Sequence, residues 1–574
     1  MLTIPAALSK NSDYEPLRAK TEGNRWGETV DLRSDELTTE MLDAILSAAR
    51  EAKGVTHAQR TARVIEAIVA AKAGDTKKAV PSLPAFPEML IAYLRSVLDR
   101  GWVYERRVDG HLHAWLITKV QYHEARQQGD KPHVTVHAVS NGGTGSGRRG
   151  EGGALGVISN SWTFHGDAVT RKRVSDILTA QRIYVETSAL REEYERNLDH
   201  YREVMGGFAE QFYYAGQPLS GNESYRTPAP RERVKVIHDL PSHETVAPAD
   251  YVESVLFMDP AKVDGTGRRR KMSGEPVTAE QADVDEEWPG IGSVPVQFVV
   301  RCFDLSTHEF MWVNAVDMKR YVYDPSLGEK IVLPADQRNL LDILTSDLDD
   351  FTGDVIEGKS TGNVVLAKGK PGVGKTLTAE VYSELIERPL YSIHSGNLGV
   401  QADEVRKNLE VTFQRAKRWN AVLLLDEADV FVLERGNNIT QNAIVAEFLR
   451  TLEYFDGLLF MTTNRADNID DAILSRAAAI IDYEMPDIEG IRAVWEVQAR
   501  NQSATIDPDV LDDLVEGFEE ISPRDVKMLL RLALRYAKGN DVPLDTEVFA
   551  KCAMFRGLHF DKGSRVRLVE RRSR

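Results

Sequence analysis

Residues 369–376 have the sequence Gly-Lys-Pro-Gly-Val-Gly-Lys-Thr, and this stretch decides the fold of the region around it. It matches the pattern G-x-x-x-x-G-K-[ST] at every fixed position and follows the apolar run NVVLA at 363–367. Between a strand and a helix, such a loop wraps phosphates with its backbone N–H groups. We therefore expect Lys375 to contact the β- and γ-phosphates of a nucleotide and the Thr376 hydroxyl to ligate Mg²⁺. The alternative, a glycine-rich turn with a chance lysine, does not explain the strand-loop-helix context.

Four more short apolar runs follow at intervals that leave room for helices. Continuous apolar runs of this length are typical of strands buried on both faces of a parallel sheet. The sequence predicts an α/β domain with a five-stranded parallel sheet over residues 326–485, and its helical periodicity predicts an all-helical lid over 486–560. The four runs are LYSI at 390–393, AVLLL at 421–425, LLFMTT at 458–463 and AAIIDY at 478–483.

Two carboxylates follow the third apolar run, in the sequence LLDEAD at 424–429. Ligands of open α/β sheets bind beyond the carboxyl ends of the strands, so an acidic pair there lies near the phosphates. We expect Asp426 to hold Mg²⁺ and Glu427 to act as the general base toward an attacking water. The alternative is that both are merely polar residues that leave a strand.

The sequence from GKPGVGKT through LLLDEAD to TTNR resembles the AAA branch of the AAA+ ATPases. The resemblance implies that Asn464 is the first sensor, beside the γ-phosphate. It implies that Arg476 is an arginine finger that reaches the ATP of a neighbouring subunit, and that Arg524 is the second sensor in the lid. It also implies assembly as a ring, a hexamer in this family. The expected catalytic residues are Lys375, Glu427, Asn464 and Arg476, and the expected nucleotide-binding residues are Gly369, Lys370, Pro371, Gly372, Val373, Gly374, Lys375, Thr376, Leu377, Asp426 and Arg524.

Residues 325–485 more narrowly resemble a fungal-type group of these ATPases that has a poorly characterised β-rich N-terminal region. Weaker similarity extends upstream to about residue 160. Two departures from threading AAA rings stand out. The first is that the stretch SGNLGVQ at 395–401 has no aromatic residue that could face a central pore. The second concerns the arginines: Gln441 stands where close relatives commonly have an arginine, and a second arginine near Arg476 is missing. The first departure argues against a mechanism in which aromatic pore residues pull a protein chain through the ring.

The N-terminal half shows two other patterns. Residues 35–72 have the periodicity of two helices, and we assign residues 1–89 to a helical module that the prolines at 81, 84 and 87 close. Residues 90–325 alternate with period two, including a hairpin at the Asp109-Gly110 turn, so we assign them to a β-rich α+β adaptor domain. The glycine-rich stretch 141–156 is expected to be a mobile loop. Residues 561–574 form a basic tail.

The composition excludes several classes of protein. The chain has 574 residues, 71 Lys and Arg, and 88 Asp and Glu, so its formal charge is −17. This acidity argues against coating nucleic acid by charge, although Arg268–Lys271 and the basic tail leave a local contact open. No run of about 18 apolar residues and no leader pattern occurs, so we expect a cytoplasmic protein without membrane contact. The two cysteines, Cys302 and Cys552, fit a reducing compartment.

Histidines are concentrated in the β-rich segment. A metal site there is a minor alternative to ordinary surface or hydrogen-bonded histidines, because no Asp, Glu or Cys stands at a matching spacing. The residues are His111, His113, His123, His133, His137 and His165.

Three functions remain open from the sequence. The first is Mg²⁺-dependent ATP hydrolysis that drives a ring to remodel an unknown protein partner. The second is a nucleotide-switched scaffold or recruiting factor that acts on DNA or a protein complex with slow turnover, which the missing pore aromatic favours. A metal-dependent enzyme within 90–325 is a third, less supported hypothesis.

Overall fold

In the structure, which is a computed structural model, the chain forms two compact units. The N-terminal unit consists of Met1–Phe208 and Phe212–Lys319, and the C-terminal unit consists of Ala209–Gln211 and Arg320–Arg574. The residues that the structure describes are 2–22, 29–32, 38–52, 58–72, 77–125, 130–144, 154–219, 230–240, 248–257, 290–346, 363–436, 439–465, 468–518 and 520–561.

The N-terminal unit begins with helices and a small sheet. Its elements are β1 (Leu2–Pro5), α1 (Ala6–Lys10), α2 (Glu15–Glu22), β2 (Thr29–Leu32), α3 (Thr39–Glu51), α4 (Ala58–Lys72) and α5 (Phe86–Val97). The two helices predicted over 35–72 are α3 and α4, and the Thr38 side chain caps α3 by accepting from the Met41 N–H. Strands β1 and β2 pair antiparallel and were not predicted, because four residues are too few to show a period.

Helix α5 corrects the predicted boundary between residues 89 and 90. The helix runs from Phe86 to Val97, directly through that position, with Pro87 in its first turn, where a proline is tolerated. Its buried side chains share one hydrophobic core with the sheet that follows, and the rings of Phe86 and Phe164 lie 5.3 Å apart. The prolines therefore mark the start of a helix that packs on the sheet rather than the end of a module.

Five antiparallel strands form the first large sheet, in the order β6-β5-β4-β3-β7. The predicted hairpin is confirmed, and Gly110 has the positive φ, 89°, that this turn needs. Part of the predicted glycine-rich loop is strand instead, since residues 141–144 pair with 154–157, and residues 145–153 lie outside the described residues. The elements are β3 (Trp102–Arg106), β4 (Leu112–His123), β5 (His133–Thr144), β6 (Ala154–His165), α6 (Gly166–Val169), α7 (Val174–Ala180), β7 (Ile183–Val185) and α8 (Ser188–Gly206).

A second five-stranded sheet, in the order β13-β12-β9-β8-β14, completes the N-terminal unit together with the pair β10-β11. A core that includes Tyr104, Tyr194, Tyr214 and Val300 joins this sheet, α8 and the first sheet. The strands are β8 (Gln211–Gly216), β9 (Arg231–His238), β10 (Tyr251–Glu253), β11 (Ile291–Ser293), β12 (Val299–Asp304), β13 (Glu309–Asn314) and β14 (Met318–Arg320).

The C-terminal unit contains a five-stranded parallel sheet in the order β16-β17-β18-β15-β19. Each of the five predicted apolar runs is one of its strands, which confirms the α/β core. The elements are α9 (Ala335–Ser346), β15 (Asn363–Gly369), α10 (Lys375–Leu385), β16 (Leu390–His394), α11 (Ala402–Arg418), β17 (Val422–Asp426), α12 (Asp429–Val432), α13 (Ile439–Leu452), β18 (Leu458–Thr463), α14 (Asp471–Leu474) and β19 (Ala479–Tyr483).

Among the described residues, four helices follow the sheet, around a core that contains Trp495, Leu529 and Phe549. An Asp or Ser caps the first turn of each helix with its side chain, which explains where the chain starts each one. The helices are α15 (Ile488–Asn501), α16 (Pro508–Gly517), α17 (Pro523–Asn540) and α18 (Thr546–Phe555).

Within the described parts of the chain, no helix has both the length and the apolar character that a membrane span requires.

Candidate functional site

The loop between β15 and α10 requires its glycines. Gly369, Gly372 and Gly374 have φ angles of 144°, 86° and 113°, which side chains other than glycine rarely adopt. A Cβ on Gly369 would lie 2.2 Å from the backbone oxygen of Tyr483 in β19. The loop can follow this path only because glycine stands at these positions.

Lys375 is the first residue of α10, and its side chain packs against this loop. The residue is 6% exposed. Its Nζ donates to the backbone oxygens of Gly369 and Lys370, both at 2.8 Å, and to Oδ1 of Asn464 at 3.0 Å. The ammonium group therefore has three oxygen acceptors, and one belongs to the residue expected to be the first sensor.

The electrostatics around Lys375 combine opposing effects. Burial lowers the pKa of Lys375, the carboxylates of Asp426 and Asp429 oppose that shift, and the positive charge of Arg524 adds to it. These four residues therefore lie within electrostatic range of one another, although they come from α10, β17, α12 and α17.

Thr462 connects the carboxylate of Asp426, the last residue of β17, to the backbone of Glu427. Oδ1 of Asp426 accepts from the Thr376 hydroxyl at 2.9 Å and from the Thr462 hydroxyl at 2.5 Å. The Thr462 oxygen in turn accepts from the backbone N–H of Glu427 at 3.0 Å. Sequence reasoning missed Thr462, and its position in the TTNR segment was the available signal.

Glu427 has a φ of 53°, in the left-handed region that costs a non-glycine residue about 1–2 kcal/mol. The chain turns sharply there, and the next residue, Ala428, is buried and donates its N–H to the backbone oxygen of Thr462 at 2.8 Å. The Glu427 side chain stays exposed at the carboxyl end of the sheet. Strained backbone of this kind is common at functional sites.

Asp429 is a second residue that sequence reasoning missed. Its Oδ1 accepts from the Thr463 hydroxyl and from the backbone N–H of Asn464, the latter at 3.0 Å. These bonds hold the end of β18 and so fix Asn464, whose side chain meets Lys375. The signal was its place in LLLDEAD, three residues after Asp426.

The start of α17 lies against the phosphate loop. The Arg524 N–H donates to the backbone oxygen of Gly372 at 3.2 Å, and a Cβ on Gly372 would lie 3.0 Å from the Ser522 hydroxyl. Lys370 and Glu520 form an exposed ion pair at 3.0 Å. The structure thus brings Arg524 to the loop.

Arg476 is not brought to the loop of its own chain. Its described hydrogen bonds go to the backbone oxygen of Ala472 at 3.1 Å and to Oε1 of Glu453 at 2.8 Å. Two other residues expected to contact the nucleotide have apolar side chains. Leu377 is 45% exposed on α10, and Val373 is partly buried against the sheet core.

The loop 395–401 contains a short 3-10 turn, Ser395–Leu398. Gly399 follows with a φ of 99°, and a Cβ there would lie 2.9 Å from Glu404. The most exposed large apolar side chain of this loop is Val400, at 77%. The stretch offers no aromatic side chain at any position.

Among the described residues, no group of three or more His, Cys, Asp or Glu side chains could hold a metal ion. His111 instead pairs with Asp317 at 2.9 Å, and the rings of His123 and His165 lie 4.8 and 5.8 Å from the ring of His133. His113 is 2% exposed, and burial lowers its pKa to about 4. The basic residues 268–271 and 562–574 lie outside the described residues.

The donor set at the loop fits a magnesium nucleotide. Thr376 and Asp426 offer a hydroxyl and a carboxylate oxygen 2.9 Å apart, and hard oxygen ligands are those that Mg²⁺ prefers. Lys375 is a buried cation that already binds oxygen atoms, as it would bind phosphate oxygens.

Comparison with known proteins agrees with this geometry. The family model "ATPase family associated with various cellular activities (AAA)" matches residues 365–485, which include the phosphate loop, both carboxylates, Asn464 and Arg476.

Several curated proteins are similar to a part of this chain. An ATP-dependent zinc metalloprotease FtsH of Ureaplasma parvum is 32% identical over 24% of this chain and 21% of its own length. A 26S proteasome regulatory subunit homolog of Methanothermobacter thermautotrophicus is 28% identical over 31% of this chain and 50% of its own length. An uncharacterised AAA family ATPase of Sinorhizobium fredii is 27% identical over 28% of this chain and 51% of its own length. The chain thus spans about half or less of the length of these relatives, and it carries an AAA ATPase domain, a domain that hydrolyses ATP.

Proposed function

We propose that the whole protein is an Mg²⁺-dependent ATPase that assembles as a ring, a hexamer, and remodels a protein partner. The observation that carries this proposal is the single hydrogen-bonded network at the carboxyl edge of the parallel sheet. Lys375 and Thr376, at the start of α10, meet Asn464, which follows β18, and Asp426, which ends β17. A purely structural turn would not need a buried lysine there.

In the proposed reaction, ATP binds with its phosphates against the backbone N–H groups of residues 369–376, and Lys375 contacts the β- and γ-phosphates. Thr376 and Asp426 would hold Mg²⁺, which supplies neutralisation of phosphate charge. Glu427 accepts a proton from the attacking water, and its exposure at the sheet edge leaves it accessible to that water. Asn464 orients the γ-phosphate, and the bonds from Asp429 hold it in place.

The position of Arg476 supports the proposed ring. Within the described part of the chain, the hydrogen bonds of the Arg476 guanidinium go to Ala472 and Glu453, not to the phosphate loop. The side chain is partly exposed, so a neighbouring subunit's ATP can be its partner. Arg524 would sense the nucleotide from the helical lid, whose α17 contacts Gly372. Hydrolysis would then move the lid relative to the sheet and transmit force to the partner.

A mixing experiment tests the ring. Glu427→Gln subunits, which keep Arg476, are mixed at equal concentrations with Arg476→Ala subunits, which keep Glu427. Each variant alone should retain only a small residual turnover. A site between two different subunits can combine Glu427 from one variant with Arg476 from the other. Such sites should restore part of the Mg²⁺-dependent phosphate release. No restoration in an assembled mixture, or full activity of Arg476→Ala alone, would contradict catalysis shared between subunits.

A second candidate function is a nucleotide-switched scaffold or recruiting factor with slow turnover. It is favoured by the loop 395–401, which has no aromatic side chain with which to grip a threaded chain. The names of relatives such as FtsH, an ATP-dependent metalloprotease, instead favour work on proteins.

Stimulation of ATP turnover separates the two candidates. Remodelling predicts faster turnover with an unfolded protein such as permanently denatured casein. Recruitment predicts stimulation by duplex DNA or by one native complex. A DNA effect that fails above about 200 mM salt would indicate phosphate contacts, which the basic residues 268–271 could provide.

A further inference from the structure

The segment that carries Arg476 is anchored at its beginning by a second arginine. Helix α14 starts after Asp470, whose carboxylate caps the helix and is 4% exposed. Both oxygens of that carboxylate accept from Arg435, at 2.7 and 3.2 Å. Burial alone would raise the pKa of Asp470, but the hydrogen bonds from Arg435 and the Ala472 N–H outweigh it and lower the pKa. The helix therefore has a fixed start.

The guanidinium of Arg476 is held at its end by two acceptors. Nη1 donates to the backbone oxygen of Ala472 at 3.1 Å, one turn earlier in the same segment. Nη2 donates to Oε1 of Glu453 at 2.8 Å, on the residue just after α13. Nε is buried and has no hydrogen-bond partner among the described residues. One N–H on each Nη atom is left for a partner outside the chain.

We propose that Glu453 is a positioning residue that holds the Arg476 guanidinium ready for the ATP of the neighbouring subunit. This inference rests on the proposed role of Arg476 in the ring. A free arginine side chain samples many rotamers and loses that freedom when it binds a phosphate. Fixing the guanidinium beforehand removes this cost from the transition state, so the benefit falls on kcat.

The geometry favours positioning over inhibition. Glu453 contacts only one Nη atom through one of its oxygens, so it leaves the outer N–H groups available. The two side chains are 31% and 35% exposed, and partly exposed ion pairs are weak. Such a pair can orient the guanidinium but cannot withhold it from a γ-phosphate that carries more charge.

Substitution of Glu453 in the full chain tests the proposal. Glu453→Ala should lower the kcat for ATP about tenfold, while the KM for ATP changes less than about twofold. Glu453→Gln keeps an oxygen acceptor of the same shape and should lose about threefold or less. Glu410→Ala on α11 is the matched control, because it removes an exposed glutamate that pairs with Arg406 at 3.2 Å.

The Arg476→Ala background separates positioning from a general structural effect. If Glu453 acts through Arg476, Glu453→Ala should not lower the residual kcat of the Arg476→Ala variant any further. A further loss there, an unchanged kcat in the single variant, or a kcat that rises would each overturn the inference. If Arg476→Ala alone keeps full activity, the proposed role of Arg476 fails and this inference fails with it.

Discussion

The parallel sheet of the C-terminal unit and the antiparallel sheets of the N-terminal unit both bury polar side chains, but they distribute them differently. In the parallel sheet, the buried Thr462 and Thr463 and the partly buried Asp426 all stand at carboxyl ends of strands and share one edge. In the N-terminal unit, buried polar residues lie on strands that run in both directions, for example His113 on β4 and Asn141 on β5. His113 lies near the start of its strand and Asn141 near the end of its own, so they do not both follow apolar runs.

Strand direction therefore decides how much of a site the sequence can reveal. When all strands point the same way, residues that follow separate apolar runs come together, so separate motifs predict one site. When neighbouring strands alternate in direction, residues that follow successive runs end on opposite edges. This is why the C-terminal unit yields a chemical proposal and the N-terminal unit yields only a fold.

The largest loss of stability should come from a substitution at Gly369, where β15 and β19 lie close together. Gly369→Ala places a Cβ 2.2 Å from the Tyr483 oxygen at a φ of 144° and should cost the C-terminal unit about 4 kcal/mol of unfolding free energy. Gly110→Ala is the control in the N-terminal unit, because its φ is 89° but nothing lies within 4 Å of the added Cβ. It should cost only about 1–2 kcal/mol. Equal losses of free energy, measured by denaturant titration, would contradict the role of the close approach.

The next largest loss of stability should occur in the N-terminal unit as the pH falls. Burial, helped by the positive charge of Arg107, lowers the pKa of His113 from 6.5 to about 4 in the folded N-terminal unit. The unfolded chain therefore binds this proton first as the pH falls, and stability present above pH 6.5 is lost between pH 6.5 and about 4. The loss should be about 3 kcal/mol.

His113→Gln checks this pH dependence. The variant should lose most of this slope in the unfolding free energy of the N-terminal unit between pH 6.5 and about 4. An unchanged slope would show that other groups control the acid sensitivity.

A smaller effect tests whether shared polar contacts matter for turnover. Thr462→Val removes the hydroxyl that joins Asp426 to the Glu427 N–H, so it should cost about 2 kcal/mol of stability and lower kcat about tenfold. Thr462→Ser should retain both bonds. Ser140→Ala is the counterpart in the N-terminal unit, since it breaks a buried bond to the Pro295 oxygen of 2.9 Å. It should lower stability without changing the turnover of ATP, and a matching loss of turnover would undo the comparison.

The sequence predicted what depends on local pattern. Five apolar runs became five parallel strands, and the Asp109-Gly110 turn became a hairpin. What it could not predict depends on pairing between distant segments. Thr462 meets Asp426 because Leu425 pairs with Met461, a register that no local pattern records. Similarly, α5 packs on the first sheet because Phe86 contacts Phe164, which is far away in sequence.

The central claim is that the network around Lys375, Asp426 and Glu427 hydrolyses ATP. The direct measurement compares nucleotide binding and single-turnover phosphate release for the full chain and its Glu427→Gln variant in Mg²⁺. We expect similar ATP affinity in both proteins and at least about a hundredfold slower release in the variant, because the general base is lost and the binding loop is intact. Release by Glu427→Gln at the unsubstituted rate would contradict the account.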